Sequence, residues 1–158
     1  MASTRPTGLA LIPPPLLFAA TLGGGLFLSH RFPVAHVTTQ VATLLRWVGA
    51  AAVVAGVGHI LSSIALFVRS RTTVVPHRSS SRLVTRGAYR WTRNPMYVGL
   101  TLVYLGIAAV TTSGWMLVLL PLPLLVLQTR VIPMEERQLE AAFGGAYRDY
   151  QARVRRWL

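Results

Sequence analysis

Residues 95–128 read PMYVGLTLVYLGIAAVTTSGWMLVLLPLPLLVLQ. No charge occurs from Pro95 to Thr112, and Trp115 to Gln128 is uncharged again. Uncharged apolar runs of about 18 residues or more are candidate membrane helices. Only Thr-Ser-Gly at 112–114 separates the two arms, so they fold back as an antiparallel helical hairpin. Pro121 and Pro123 lie inside the second arm. Each removes a backbone donor and frees a carbonyl that neighbouring helices must satisfy, so a kink is expected there.

Two further blocks lie upstream. Leu9 to Leu28 has no charge, and Trp47 to Val68 has His59 as its single ionisable group. The chain of 158 residues is 53% hydrophobic and 13% charged, against about 25% charged in an ordinary soluble domain. One buried soluble helix would explain one block, but not four in a chain with so few charges to make a surface. The expected fold is therefore all-α: an integral membrane bundle of four transmembrane helices at about 9–28, 47–68, 95–112 and 115–132. A loop at 69–94 and a tail at 133–158 complete a single domain over 1–158. The first block also has features of a signal peptide, with Arg5 ahead of it, three prolines and a Gly23-Gly24-Gly25 step. It is read as a retained, irregular helix, because removing it would leave three spans. Gly49, Ala52, Gly56 and Ser63 allow another helix close to the second span, where His59 suits a helix-to-helix hydrogen bond. Gly56-Val57-Gly58 is no nucleotide loop, since it sits inside an apolar run with no preceding strand.

The net charge is +12, and all sixteen basic residues are Arg. All four acids, Glu135, Glu136, Glu140 and Asp149, fall near the C-terminal end, with no carboxylate side chain before Glu135. The high apolar content excludes a disordered basic arm, and the lack of cysteine excludes a disulfide scaffold. Seven arginines lie in 69–93 and six from Arg130 onward, while the segment between the first two spans holds Arg31 and Arg46 and the turn between the last two holds none. Arginine-rich loops stay in the cytoplasm. Four spans then place the loop, the tail and both termini on that side, as in the plasma membrane of a prokaryote. The basic segments meet lipid head groups there, which argues against nucleic acid as a partner.

The cytoplasmic loop ends in SRLVTRGAYRWTRNPMYVG, residues 81–99. Gly87 turns the chain. Tyr89 and Trp91 offer flat surfaces, and Arg90 and Arg93 offer anion-binding forks. Asn94 before Pro95 is a natural N-cap with proline at the first helical position, so the third span opens with free N–H groups toward the cytoplasm. In the tail, Leu139, Ala142 and Phe143 mark one helix face, Gly144-Gly145 breaks the helix, and Tyr147, Tyr150, Val154 and Trp157 mark a second face. Glu135 and Glu136 stand where the fourth span leaves the membrane, as first-turn acids or as ion-pair partners of Arg130 or Arg137. The two segments suit a ligand with a carboxylate, hydroxyls, an aromatic base and a positive charge. S-adenosyl-L-methionine has all four, although other nucleotides meet much of the description. Methyl displacement from sulfur needs alignment more than a strong acid or base, which agrees with a chain lacking Cys, a Ser-His pair and metal-ligand spacing.

GAYRWTRNPMYVG, followed some forty residues later by EERQLEAAFGGAYRDY, resembles the isoprenylcysteine carboxyl methyltransferase and phospholipid methyltransferase group of membrane enzymes. The resemblance covers about residues 80 to 157. It implies a membrane-embedded methyltransferase whose S-adenosyl-L-methionine lies in a cytoplasm-facing pocket roofed by the C-terminal helices. The implied cofactor contacts are Ser81, Arg82, Leu83, Val84, Tyr89, Arg93, Asn94, Pro95, Tyr97, Glu135 and Glu136, with Met96 in the same turn. Glu135 and Arg130 carry the implied catalytic roles, Arg130 by placing the substrate; no metal is implied. Eukaryotic members often have His where Asn94 stands, so this chain keeps a hydrogen bond there but no titrating group. A lipophilic acceptor would enter sideways from the bilayer and the polar cofactor from water. Two other readings stay open. One is a membrane reductase of the steroid and sterol reductase type, with NADPH held by Arg82, Arg86 and Arg90. The other is a non-enzymatic protein binding membrane lipids. The acceptor and the oligomeric state are left open.

Overall fold

The computed structural model describes residues 12–33, 37–69 and 83–158. Ser81 and Arg82 lie outside them. The described residues form helices without strands: α1 (Pro14–Arg31), α2 (Thr39–Arg69), a 3-10 turn (Gly87–Arg90), α3 (Pro95–Val110), α4 (Gly114–Leu119), α5 (Pro121–Val126), a π-helical turn (Leu127–Val131), α6 (Ile132–Phe143) and α7 (Gly145–Arg153). The all-helical expectation holds for these residues.

The boundaries differ from the sequence reading in ways the residues explain. Pro13 is extended (φ −54°, ψ 131°) because proline follows it, so the first helix starts at Pro14 and reaches Arg31. The triple glycine does not make α1 irregular. Gly25 is buried, and a Cβ there would stand 2.7 Å from Cγ of Met116, so this glycine is where α4 approaches. The second helix begins at Thr39, well before the expected span, and keeps Arg46 on an exposed face. The fourth helix runs on past Ile132. Gly114 to Phe143 is one 30-residue helix in which the α pattern is interrupted at Leu120, before Pro121, and opens into the π turn before Pro133. Ile132 N–H reaches back to the carbonyl of Leu127, one position further than an α-helical bond. That wider turn lets the helix absorb Pro133 and continue, so the tail begins as an extension of the span.

Two of the described helices, Thr39–Arg69 and Gly114–Phe143, are long and apolar enough to cross a membrane. Neither is mostly buried, as the core helix of a soluble fold would be: 11% of the most apolar stretch is buried in α2 and 33% in Gly114–Phe143. Trp47, Val54, Val57, Leu61 and Val68 project outward from α2. Outward apolar belts of this extent mark a lipid-facing surface.

Between α2 and α3 the glycines set the distance. A Cβ on Gly49 would lie 2.5 Å from the Gly106 carbonyl oxygen, and one on Gly56 would lie 2.7 Å from that of Gly99. The two pairs share one heptad spacing on antiparallel helices, which keeps one seam in register along its length. Ser63 extends the seam and is fully buried; Ala52 is only half-buried beside it. The bond expected of His59 is not made by its Nε2, which is buried without a partner among the described residues.

On the other side of α3, Phe18, Tyr104, Ala108, Met116 and Leu127 form the core with Tyr97, Val131 and Ile132. Phe18 meets Tyr104 edge to face at 6.0 Å. The Tyr104 hydroxyl donates to the Met116 carbonyl at 3.0 Å. The hairpin turn is held by Ser113, whose Oγ accepts the Met116 N–H at 3.3 Å and lies 2.6 Å from Ser29 Oγ on α1. The core thus fixes the ends of α3 and α6 side by side.

Candidate functional site

The site forms where three chain segments meet: residues 87–97, the first turn of α6, and the residues after α7. Gly87 adopts φ +61°, a left-handed conformation that favours glycine. A Cβ there would also stand 2.6 Å from Leu66 Cδ1, so the turn rests directly on the end of α2. Tyr89 packs edge to face on Phe67 at 5.4 Å and is buried. Its carbonyl accepts the Tyr150 hydroxyl at 2.8 Å. Burial first, then Tyr150 and Glu135, push the Tyr89 phenol well above its usual range. Of the two expected aromatic surfaces, Tyr89 is packed inward and Trp91 is exposed.

Asn94 is the residue before α3, but its side chain does not cap the helix. Its Nδ2 donates instead to the Arg156 carbonyl at 2.9 Å. Buried Thr92 donates to the same carbonyl at 3.1 Å and accepts the Asn94 N–H at 3.1 Å. Arg93 N–H donates to the Arg155 carbonyl at 2.9 Å. The capping expectation is corrected by this strap. α7 ends at Arg153 and Val154 is extended (φ −122°, ψ 130°), so Val154 and Trp157 are not on a helix face. They belong to a segment laid across the start of α3.

The two acids have separate partners. Glu135 Oε1 accepts the Tyr97 hydroxyl at 2.6 Å. Glu136 receives Arg93 Nη1 at 3.0 Å, Arg156 Nε at 3.1 Å and Arg156 Nη2 at 2.6 Å. The expected pairing with Arg130 or Arg137 is not found: both are exposed, whereas 135 and 136 are the positions that α6 presents to α3. Nor is this a free helix N-terminus, because the π turn runs into α6. Glu135 lies past the apolar part of its helix. Burial pushes its carboxyl up to about 7; the Tyr97 hydrogen bond opposes the rise and Glu136 adds to it. Burial and the Glu136 charge raise the Tyr147 phenol, while Arg93 lowers it. Arg93 Nε is buried with no partner among the described residues. An unpaired buried donor of this kind costs free energy unless a ligand supplies an acceptor.

The structure therefore brings together Arg93, Asn94, Pro95, Tyr97, Glu135 and Glu136, with Tyr89 behind them. Leu83 and Val84 are half-buried in the extended segment leading to the turn. Arg130 stays apart. Sequence reasoning missed Thr92, Gln128 and Arg156. Arg156 sits among Arg153 and Arg155, and nothing in that run distinguishes the one that turns inward.

The sequence profile of the phospholipid methyltransferase family matches residues 44–146. The chain belongs to that family. The family resemblance read from the two motifs is thereby established, and the match reaches further upstream than they do. It takes in α2, which the motifs did not cover. It includes Arg93, Tyr97, Glu135 and Glu136 and leaves out α1 and the strap that carries Arg156. No curated protein and no solved structure matched the chain. Membership in the family, with its lipid-facing helices, makes this a membrane methyltransferase.

Proposed function

We propose that the protein is an S-adenosyl-L-methionine-dependent methyltransferase that modifies a lipophilic acceptor. The observation that carries this reading is the juxtaposition of Glu135 and its Tyr97 partner with Glu136 and its two arginines. Beside them Arg93 keeps a buried Nε that has no partner among the described residues. Such a donor fits the carboxylate of the cofactor, and Glu135 fits its cationic part. When bound, the cofactor supplies a methyl group on a sulfonium for direct displacement. The chain's own task is to hold the donor rigidly, since alignment contributes much of the rate in such a transfer. Arg156 and Arg93 fix the Glu136 carboxylate, and the Thr92–Asn94 strap fixes Arg93. Leu83 and Val84 belong to the segment that leads into the Gly87 turn.

An apolar groove of about 820 Å³ supports the lateral route for the acceptor. It runs between Val98, Thr101 and Leu102 of α3 and Pro121, Leu122 and Leu125 of α5. Leu122 and Leu125 are exposed and belong to the outward apolar belt, so the groove opens onto lipid. The proposed topology has four spans, with loop 69–94, tail 133–158 and both termini in the cytoplasm, in the plasma membrane of a prokaryote. The arginine distribution supports it. The isoprenylcysteine, lipid-amine and thiol acceptors differ only in what the groove delivers.

Arg93→Ala and Glu135→Ala are each expected to abolish S-adenosylhomocysteine binding by titration calorimetry while the protein still inserts in membranes. Binding unchanged in both variants overturns the assignment, and stabilisation by NADPH instead would turn it to the reductase reading.

A further inference from the structure

The last residues of the chain do two things at once. Arg156 grips Glu136 through two bonds, and the next two residues, Trp157 and Leu158, line the apolar groove. Trp157 is pinned there by its Nε1, which donates to Gln128 Oε1 at 2.9 Å. Gln128 is itself a lining residue of the groove. The groove begins at Val98, the residue after Tyr97, and the Tyr97 hydroxyl is bonded to Glu135. Trp157 therefore stands at the junction between the apolar groove and the acidic site.

We infer that Trp157 is a specificity-determining residue, the partition that decides which part of a lipophilic acceptor crosses from the groove into the site. The inference rests on the methyltransferase reading of that site. The occupant is a hydrocarbon chain of a bilayer lipid, because Leu122 and Leu125 of the α5 wall are apolar and exposed on the outside of the helices, and only Thr101, Gln128 and the Trp157 N–H interrupt the apolar lining. Gln128 holds the indole in place when the groove is empty, and its carbonyl is released when the indole is displaced. The strap lies beyond the residues matched by the family profile, so this partition is a property read from this chain alone.

The test has two arms. In the first, Trp47, Trp91 and Trp115 are changed to Phe and the protein is placed in nanodiscs of phosphatidylcholine with brominated acyl chains. A chain in the groove quenches Trp157 by direct contact, and filling the groove with Thr101→Phe is expected to reduce that quenching by about threefold. Equal quenching with and without the filled groove overturns the inference. If the triple variant does not insert, the difference between the wild type and Trp157→Phe reads the same signal. In the second arm, protein in lipid is given radiolabelled S-adenosyl-L-methionine and a host lipid extract. Trp157→Ala is expected to change which lipids are labelled, Trp157→Phe to retain the wild-type set, and both to bind S-adenosylhomocysteine within about twofold of wild type. An unchanged set of products in Trp157→Ala, or a loss of product matched by loss of S-adenosylhomocysteine binding, overturns it. No labelling by the wild type instead sinks the reading that S-adenosyl-L-methionine serves a lipid acceptor, and the quenching arm then decides the groove on its own.

Discussion

The Tyr97 hydroxyl and Glu135 Oε1 are 2.6 Å apart, which ties the first turn of α3 to the first turn of α6. The bond spans 38 positions of sequence and crosses from the start of one arm of the hairpin to the far end of the other. Removing it with Tyr97→Phe leaves a buried carboxyl without its donor, at a cost of about 1–3 kcal/mol. A drop in thermal midpoint measured in detergent, with helix content kept, is the expected result.

The titration of Glu135 gives two opposite pH dependences. Its carboxyl is raised to about 7 by burial, against the Tyr97 bond and with Glu136. A carboxyl raised on folding stabilises the protein fully below its unfolded value, and that stability is lost as pH rises through the folded one. Ligand-free protein should therefore lose thermal stability between about pH 4.5 and about pH 7, and level off above that. If Glu135 in its ionised form binds the α-ammonium of the donor, which S-adenosylhomocysteine keeps, affinity for S-adenosylhomocysteine should rise by up to about tenfold between about pH 6 and about pH 8. Glu135→Gln should flatten both curves, as followed by thermal shift and titration calorimetry.

The glycine seam predicts a sharp contrast within one helix. Gly56→Ala places a Cβ 2.7 Å from the Gly99 carbonyl oxygen and 2.8 Å from Val103 Cγ2, whereas nothing lies within 4 Å of one on Gly58. Gly56→Ala should separate α2 from α3 and cost about 1–3 kcal/mol, and Gly58→Ala should be neutral or slightly stabilising. Residual folded protein after heating in detergent compares the two directly.

Arg156 and Arg155 differ by one position and by everything they touch. Arg156→Ala removes both bonds to Glu136, whereas the Arg155 side chain is exposed. Arg156→Ala should release the strap, and trypsin should cut after Arg153 at least about tenfold faster than in Arg155→Ala. Equal cutting in the two variants would show that the bonds from Thr92 Oγ1, Arg93 N–H and Asn94 Nδ2 hold the strap alone.

The proposed topology can be tested with introduced thiols, since the chain has no cysteine. Thr112→Cys, in the hairpin turn, should react with an impermeant maleimide on intact cells. Asp149→Cys, on α7, should react only after the membrane is opened. The reverse pattern would invert the orientation derived from arginine.

The parts of the fold legible in the sequence were those governed by hydropathy and by local chain chemistry. The hairpin around Ser113, the turn at Gly87, the break at Gly144 and the start of α3 at Pro95 all follow from short-range rules. The continuation of the fourth helix through Pro133 does not, because a proline only signals a lost donor, and a π turn replaces it with no mark in composition. The acids were legible as a pair, but their division between Tyr97 and the two arginines depends on which face of α6 meets α3. Asn94 had the sequence of a cap. A carbonyl 62 positions away outcompeted the local role, and no local rule encodes that. Arg156 was hidden for the same reason.

The Glu136 clamp has one further property. Its carboxylate is held from two segments, by Arg93 just before α3 and by Arg156 in the strap. A shift of either segment is passed to the other through this single side chain, so the loop side and the strap side of the site move as one unit.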